Sequence, residues 1–489
     1  MTLTLLEDPR LEDLDAVRGR LRAMLGPEHG ARTWLVGGVV RDALLGRPLL
    51  DIDLTTGSDP ERCARMIADA VNGTPFPLGD MPDEGGCWRV AARAGDDAVQ
   101  YDVCSLRGES IEHDLRARDI TANALAVPLD GPLGLLDGTG GRDDLDARLV
   151  RMVAESALDD DPLRMLRVAR MAHTLGWRID DATVDAVRAR AHRATEPAGE
   201  RTFAELRLLL LHHGARRAMH LLDTLGLERV LLPELDACRA VEQSRFHHLD
   251  VRDHTLAVLD NAEDLLDATD FWLPLPHDAG LVAHPWTETQ RLMVLLAALI
   301  HDMAKPATRR LLPDGRVAFP GHDEVGVGIV DSIAERWRWS AAMRRHVGHL
   351  VATHLALGYL LHSDRGARER WRLRRRLDPV TPEAIVLSVA DRLATAGPAD
   401  QRRWVRAHLE LARSVWTDHW REQHDGIPEP LLDGRELAAI AGVQPGPAIG
   451  RLVTMLAEAQ AVGAVTTRAD AERLATEAAA AIAAEAPSA

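Results

Sequence analysis

The stretch WLVGGVVRDALLGRPLLDIDLTT, Trp34 to Thr56, decides the fold. It sets Asp51 and Asp53 one residue apart in an apolar run that follows the pair Gly37-Gly38. Buried charge is costly unless paired or metal-bound, so two like charges here need a partner. Alternate side chains of a strand share a face. Asp51 and Asp53 therefore point one way, and Leu50, Ile52 and Leu54 point the other way into a core. Two carboxylates on one face suit Mg²⁺, an ion usually held by one or two carboxylates plus substrate phosphates. Two such ions about 3.5–4 Å apart can activate an attacking hydroxyl and stabilise a leaving pyrophosphate. The Gly37-Gly38 turn would let backbone N–H groups approach a phosphate as a helix begins. Arg41 would pair with phosphate oxygens, and Asp42 would hold the turn.

The bulk composition sets limits around this motif. A chain of 489 residues predicts about three or four domains. Hydrophobic and charged contents of 46% and 27% are those of a globular protein, and with 4% aromatics the cores must rest on aliphatic side chains. A net charge of −17 argues against a generic basic nucleic-acid binder but leaves room for a local basic groove. Cys63, Cys87, Cys104 and Cys238 form no CxxC pair, so neither a disulfide framework nor a thiolate zinc site is expected. No basic segment leads into an apolar core at the N-terminus, and LMVLLAALI is too short to span a bilayer. The expectation is a reduced, cytoplasmic protein with no membrane partner.

Residues 1–145 mix strands with helices. TWLVGG and PLLDIDLTT read as strands, DPERCARMIADAV as a helix, and CWRVAARAGDDAVQYDVCSLR as two strands joined at Gly95-Asp96-Asp97. Beyond about Leu145 the pattern is helical almost throughout. DPLRMLRVARMAHTLG carries apolar positions at helical spacing and a glycine stop, and RTFAELRLLLLHHG repeats that design. A His- and Asp-rich region runs from about Val241 to a break at TAGPAD. The last region, 400–489, is helical with a Pro/Gly-rich connection inside it.

With these elements placed, LVGGVVRDALLGRPLLDIDLTT resembles the signature of class II tRNA nucleotidyltransferases and the related bacterial poly(A) polymerases. Four further motifs follow in the family's order. ARDITANALA (Ala117–Ala126) is similar to RRDFTINALA, and LLDGTGGRDDL (Leu135–Leu145) to IDPxGGxxDL. DDDPLRMLRVARMA (Asp159–Ala172) is similar to EDPLRxLRxxRFA, and GERTFAEL (Gly199–Leu206) to ERIxxEL. The resemblance covers about residues 33–206. It implies an α+β fold: a nucleotidyltransferase palm with a mixed β-sheet over 1–145, followed by an all-α neck (146–240), with the all-α regions 241–399 and 400–489 beyond it.

The resemblance also implies roles. Asp51 and Asp53 would bind Mg²⁺. Asp102, in VQYDVCSL, is either a third catalytic carboxylate or an ordinary surface-strand aspartate. Gly37, Gly38 and Arg41, with Arg118, Asp119 and Asn123, would contact the triphosphate and sugar. Asp161 and Arg164 would hydrogen-bond the base edge, with Asp160 bracing the arginine and Arg167 on the same helix. A carboxylate accepts from an exocyclic amine and an arginine donates to ring acceptors, so C and A fit. Without the context of the other motifs, Asp161 and Arg164 would read as an i,i+3 helix salt bridge. The chain departs from the pattern at Asp160, where the family has Glu, and at Ala117, where it has Arg. Only GESIEHDLRA joins Arg107 to Arg118, where many relatives carry a long flexible segment that helps the switch from C to A addition. PLGDMPDEGGC (Pro77–Cys87) could replace it; otherwise CC-only addition becomes an alternative, as does poly(A) polymerase activity.

A second constellation lies downstream. FHHLDVRDHTLAVL contains His247, His248, Asp250 and His254, and LLAALIHDMAKP places His301 and Asp302 at the end of an apolar helix. FPGHDEVG, VATHL and VLSVADRLA add His322, His354 and Asp391. Imidazole and carboxylate ligands together suit divalent transition metals. The pattern H…HD…D resembles the HD superfamily of metal-dependent phosphohydrolases. It implies His254, His301, Asp302 and Asp391 as ligands, with His322 and His354 holding a second metal or contacting phosphate, and a bound water as nucleophile. Fused HD domains in relatives are linked to hydrolysis of 2′,3′-cyclic phosphates and 2′-nucleotides. An RNA-binding HD phosphohydrolase is the alternative from another class.

Pro428–Val453 is similar to the helical tail of the same bacterial enzymes. DRGARERWRLRRRLD (Asp364–Asp378), the densest basic stretch, either grips tRNA phosphates or is a solvated helix face. The expected partners are tRNA, CTP and ATP; the sequence leaves the oligomeric state open.

Overall fold

The computed structural model describes residues 5–78, 86–94, 97–243, 248–276, 280–395, 401–444 and 446–485. The chain divides into two compact units, Met1–Leu209 with His220–Leu231, and Leu210–Met219 with Leu232–Ala489.

The first unit is built on an eight-stranded mixed sheet: β1 (Leu5–Leu6), β2 (Thr33–Val36), β3 (Asp51–Thr56), β4 (Thr74–Leu78), β5 (Cys87–Ala94), β6 (Asp97–Ser105), β7 (Leu125–Pro128) and β8 (Leu135–Asp137). Their order is β1-β8-β7-β2-β3-β6-β5-β4. Only β3 and β6 run parallel. The chain between them passes first through the helix Pro60–Val71, which Asp59 caps and which ends at Asn72 in a left-handed conformation, and then through β4 and β5. Such caps satisfy helix-end groups that otherwise lack partners.

β3 is shorter than expected. Pro48 to Leu50 lie outside it, and Leu50 is 40% exposed. The inward set is therefore Ile52 and Leu54, both buried. Past the sheet the helices Arg164–Leu175, Asp181–Arg190 and Gly199–Leu211 dominate. The first stops at Gly176, whose φ of 70° is left-handed, a conformation glycine adopts without steric cost.

The cysteine expectation is corrected. Cys87 and Cys104 are disulfide-bonded, because the antiparallel β5–β6 register places them opposite each other. Their Cα atoms lie 4.0 Å apart despite a separation of 17 residues. Cys63 and Cys238 are buried and outside that disulfide. The expected turn at Gly95-Asp96, TAGPAD beyond Thr395 and most of Pro77–Cys87 lie outside the described residues, as does His247.

Among its described residues the second unit is helical apart from the two-stranded pairing of Arg310–Leu311 with Val317–Ala318. At its centre is the helix Glu288–Ile300, opened by a Thr287–Gln290 capping box and buried from Leu292 to Ile300. A helix apolar all round must be covered on all sides; helices Val251–Asp267, Ala341–Thr353 and Thr381–Ala394 pack against it. A separate small core of Leu437, Leu452, Leu456 and Ala471 joins the last three helices, Gly434–Ala441, Pro447–Ala461 and Arg468–Glu485. No helix among the described residues is long and apolar enough to cross a membrane.

The basic stretch carries much of its charge in ion pairs. It forms the helix Ala367–Leu377, and five of its arginines, Arg368, Arg370, Arg372, Arg374 and Arg375, are paired within the unit. Arg370 bonds Asp418, Arg372 holds Glu458 through both oxygens, and Arg374 and Arg375 share Glu422. Acidic groups on neighbouring helices, remote in sequence, take up this positive charge.

Candidate active site and metal cluster

Asp51 and Asp53 project from one face of β3, and the parallel register sets Asp102 of β6 beside Asp53. All three line one cleft of about 310 Å³ with Arg41, Asn123 and Arg167. Burial and the charge of Asp102 push the Asp53 carboxyl up to about 6, against the opposing pull of Arg118 and of the Gly38 N–H. Three carboxylates that repel one another at an open cleft form a donor set a divalent cation relieves, and oxygen-only ligation fits Mg²⁺.

The glycines act differently from expectation. The Gly37 N–H donates to the Leu125 carbonyl, and the Gly38 N–H to Asp53. Neither forms a free phosphate cradle. Glycine is needed for close approach: a Cβ on Gly37, whose φ is +70°, would lie 2.9 Å from Arg118 Nη1, and one on Gly38 3.3 Å from Asp53 Oδ2. Arg41 donates to both Asp42 oxygens and to Asn123 Oδ1. Arg118 donates to Asp114. Asp119 is buried, which alone would raise its carboxyl. Arg167, gripping it at 2.7 Å, with Ile120 N–H and Asn123, outweighs that and holds it at about 2.

The selection residues are arranged unlike the sequence expectation. Asp160 is exposed, and Arg164 donates to the Ala117 and Ala157 carbonyls rather than to Asp160 or Asp161. Asp161 instead accepts from Arg201 at 2.7 Å. The cause is local: Arg164 opens its helix and reaches back, while Asp161 sits in extended backbone and swings outward. The short link from Arg107 to Arg118 holds the helix Ile111–Arg116, capped by Ser110.

In the second unit six residues from five places in the chain converge. His254 lies on Val251–Asp267, His301 and Asp302 follow Glu288–Ile300, His322 opens His322–Arg336, His354 ends Ala341–Thr353, and Asp391 lies on Thr381–Ala394. Their donor atoms form two sets, His254 with His301 and Asp391, and Asp302 with His322 and His354. Asp302 joins the sets: its Oδ2 lies 3.2 Å from His301 Nε2 and 3.5 Å from His254 Nε2, and its Oδ1 3.4 Å from His322 Nε2. Three of these rings spend Nδ1–H on a carbonyl, His301 on Ala298, His322 on Phe319 and His354 on Val351. Such second-shell bonds aim the Nε2 lone pair inward. His322 and His354 face each other Nε2 to Nε2 at 3.3 Å, and burial together with the charge of His301 holds His354 down at about 4. Two ring nitrogens that meet inside a buried cluster suit a shared metal cation. Burial would raise Asp302, but His301 and Lys305 outweigh it and hold it well below the usual carboxylate range. The donor set fits divalent transition metals.

Two residues escaped the sequence reading. Arg89 grips Asp102 with two bonds of 2.7 Å, because the β5–β6 register sets them opposite each other. Lys305 donates to Asp302 at 2.6 Å, an i,i+3 relation visible in HDMAKP.

A carboxylate triad on a mixed sheet, followed by a helical unit with a His/Asp cluster, defines a nucleotidyltransferase fused to an HD domain. Family models agree: residues 33–151 match the Poly A polymerase head domain, 176–239 the "Probable RNA and SrmB- binding site of polymerase A", and 251–396 the HD domain. The chain is 37% identical to the A-adding tRNA nucleotidyltransferase of Deinococcus radiodurans, over 88% of this chain and 92% of that one. It is 36% identical to the CC-adding tRNA nucleotidyltransferase of Thermus thermophilus, over 89% and 91%. A solved CCA-adding enzyme with ATP shares the fold, with a TM-score of 0.63 at 18% identity over 99% of this chain and 96% of that one. This chain belongs to the bacterial tRNA nucleotidyltransferase family.

Proposed function

We propose that this protein adds C and A nucleotides from CTP and ATP to the 3′ end of tRNA, in the cytoplasm. The observation that carries the reading is the meeting of Asp51, Asp53 and Asp102 at one cleft with Arg41, Asn123 and Arg167. Asp51, Asp53 and Asp102 would hold Mg²⁺, which when bound supplies neutralisation of the triphosphate and of the attacking hydroxyl. The tRNA 3′-hydroxyl forms the new bond to the α-phosphorus as pyrophosphate leaves. Arg41 and Arg118, already fixed by Asp42 and Asp114, line up on triphosphate oxygens, and Asn123 on the sugar. Catalysis is then mainly positioning and charge stabilisation. Asp119 acts one step back, by fixing Arg167. Base choice falls to Asp161 and Arg164, whose present partners, Arg201 and two carbonyls, a cytosine or adenine edge would replace.

A narrower reading, addition of CC or of A alone, is favoured by one observation: the Arg107–Arg118 link is a capped helix. The two relatives above carry single-specificity names. Purified protein given CTP, ATP or both on tRNA lacking CCA, and on tRNA ending in CC, tests both. Extension to CCA supports the first reading, and arrest at CC, or extension only of CC ends, supports the narrower one. Absence of incorporation on every substrate overturns both.

The HD cluster we assign to a phosphohydrolase site for 2′,3′-cyclic phosphates or 2′-nucleotides, with His254, His301, Asp302 and Asp391 as ligands and His322 and His354 completing a second position. We likewise assign residues 1–145 to the palm, 146–240 to the neck, 241–399 to the HD domain and 400–489 to the tail.

A further inference from the structure

In the β5–β6 ladder Cys87 lies opposite Cys104, and Arg89 lies opposite Asp102. Alternate residues of a strand share a face. The disulfide and the Arg89–Asp102 pair therefore stand on the same face, one repeat apart, and Cys104 is two residues from a carboxylate of the cleft. Val90, Val99 and Val103, on the other face, are buried, where the helix Pro60–Val71 packs against both strands. On the cleft face Cys87, Arg89, Asp102 and Cys104 are each half-buried. The disulfide closes the start of β5, with one hydrogen bond beyond it, from the Ser105 N–H to the Gly86 carbonyl at 3.3 Å.

Two features connect this bond to the chemistry of the cleft. The first is mechanical. The Arg89 and Asp102 side chains are 35% and 19% exposed, and an ion pair that open to solvent holds little by itself. Its geometry depends on the ladder, and ladder ends open first. A covalent link between the strands at that end keeps Arg89 over Asp102. The second is access. Cys63 and Cys238 are fully buried, so the two cysteines a small thiol or disulfide can reach are the two that face each other. Access of that kind is what thiol–disulfide exchange requires.

We propose that Cys87 and Cys104 form a reversible thiol-oxidation site that tunes the Mg²⁺ affinity of the cleft, with a low-molecular-weight disulfide as oxidant. In the oxidising direction the sulfur of one cysteine bonds to one sulfur of the small disulfide. The disulfide bond breaks, and the expelled sulfur takes up the proton of the attacking thiol. The second cysteine then bonds to the first, expelling the other half of the oxidant, which takes the second proton. Two protein thiols lose two electrons, and one small disulfide becomes two small thiols. Excess small thiol runs the same steps backward. The oxidised form holds Asp102 in place for the cation, and the reduced form holds it less firmly. The effect on the cleft rests on the nucleotidyl-transfer reading above; the thiol chemistry does not.

The test uses full-length protein equilibrated with oxidised or with reduced glutathione. Alkylation after denaturation should label two of the four cysteines in the first form and all four in the second. The Mg²⁺ concentration for half-maximal incorporation should be at least about threefold higher in the reduced form, the direction expected when a partner of a metal-binding carboxylate loosens. Cys104→Ser should follow the reduced curve in both buffers. In Arg89→Met the oxidised and reduced forms should coincide, because the effect runs through that arginine. Coincident Mg²⁺ curves for the two wild-type forms overturn the inference and leave a purely structural disulfide. So does a bond that glutathione neither makes nor breaks in the folded protein, and so does a redox effect that persists in Cys104→Ser or in Arg89→Met. Calorimetry of the Mg²⁺ binding that Asp53→Asn removes separates the two ideas. Redox-dependent Mg²⁺ affinity without incorporation removes the transferase reading alone. Incorporation whose Mg²⁺ dependence ignores the redox state removes this inference alone, and a protein with neither incorporation nor Mg²⁺ binding removes both.

Discussion

Arg89 and Asp102 face each other across the β5–β6 register, with Nε and Nη2 of the guanidinium donating to Oδ1 and Oδ2 at 2.7 Å each. The pair is half-buried, and its carboxylate is also the neighbour that helps push Asp53 up. Arg89 thereby orients the carboxylate and offsets part of the negative charge of the cleft. Replacing it by Met should lower nucleotide incorporation about tenfold or more and shift the Mg²⁺ dependence, as loss of an orienting residue does. Initial rates against Mg²⁺ concentration provide the check; an unchanged curve would leave Arg89 as a surface partner.

Asp53 offers a linkage test in protein free of divalent ions. Its folded carboxyl is raised to about 6 from 3.8, so the folded state binds the extra proton and stability falls as pH rises from about 4 to about 6. Asp53→Asn should therefore stabilise the metal-free protein at pH 7 by on the order of 2 kcal/mol, and the gain should vanish below pH 4. Mg²⁺ should reverse the order, stabilising the wild type more. Thermal melts across pH with and without Mg²⁺ would expose an error in either sign, and incorporation should be lost in the variant.

Asp119 runs the other way. Held at about 2 by Arg167 against its burial, it contributes stability that is present above about pH 4 and lost as pH falls towards 2. Arg167→Met leaves that carboxylate buried without its main partner and should cost about 2–3 kcal/mol. Adding Asp119→Asn should restore part of the loss. Urea titrations of the two single variants and the double variant measure the coupling; additive effects would contradict a direct pair.

The His/Asp cluster predicts metal content. Chain purified with Mn²⁺ or Zn²⁺ should hold two ions at this unit, and His354→Ala about one, because only the set with Asp302 and His322 is broken. Chelation should lower the melting temperature by several degrees. Elemental analysis showing the same content in both proteins would remove the second position.

The arginine helix predicts an effect on stability rather than on RNA affinity. Glu422 holds Arg374 and Arg375, so Glu422→Ala should destabilise by about 2–3 kcal/mol, the cost of stripping a partner from a largely buried charge. The salt dependence of tRNA binding should stay as it was. A changed slope of log affinity against log salt would restore this helix as a phosphate-contacting surface.

Much of this molecule is legible in short stretches of chain. The alternation around Asp51 and Asp53 places them on one strand face, LMVLLAALI reads as a buried helix that delivers His301 and Asp302, and the motifs from Trp34 to Leu206 suffice to identify the family. These features depend on residues a few positions apart, where backbone periodicity alone settles which side chains share a face. Only the tertiary structure decided the partners: Cys87 with Cys104, Arg89 with Asp102, Arg201 rather than Arg164 on Asp161, and Asp418, Glu422 and Glu458 on the basic helix. Each joins groups 13 to 86 residues apart. Strand register and helix packing set those distances, and they answer to the whole buried surface rather than to any local pattern.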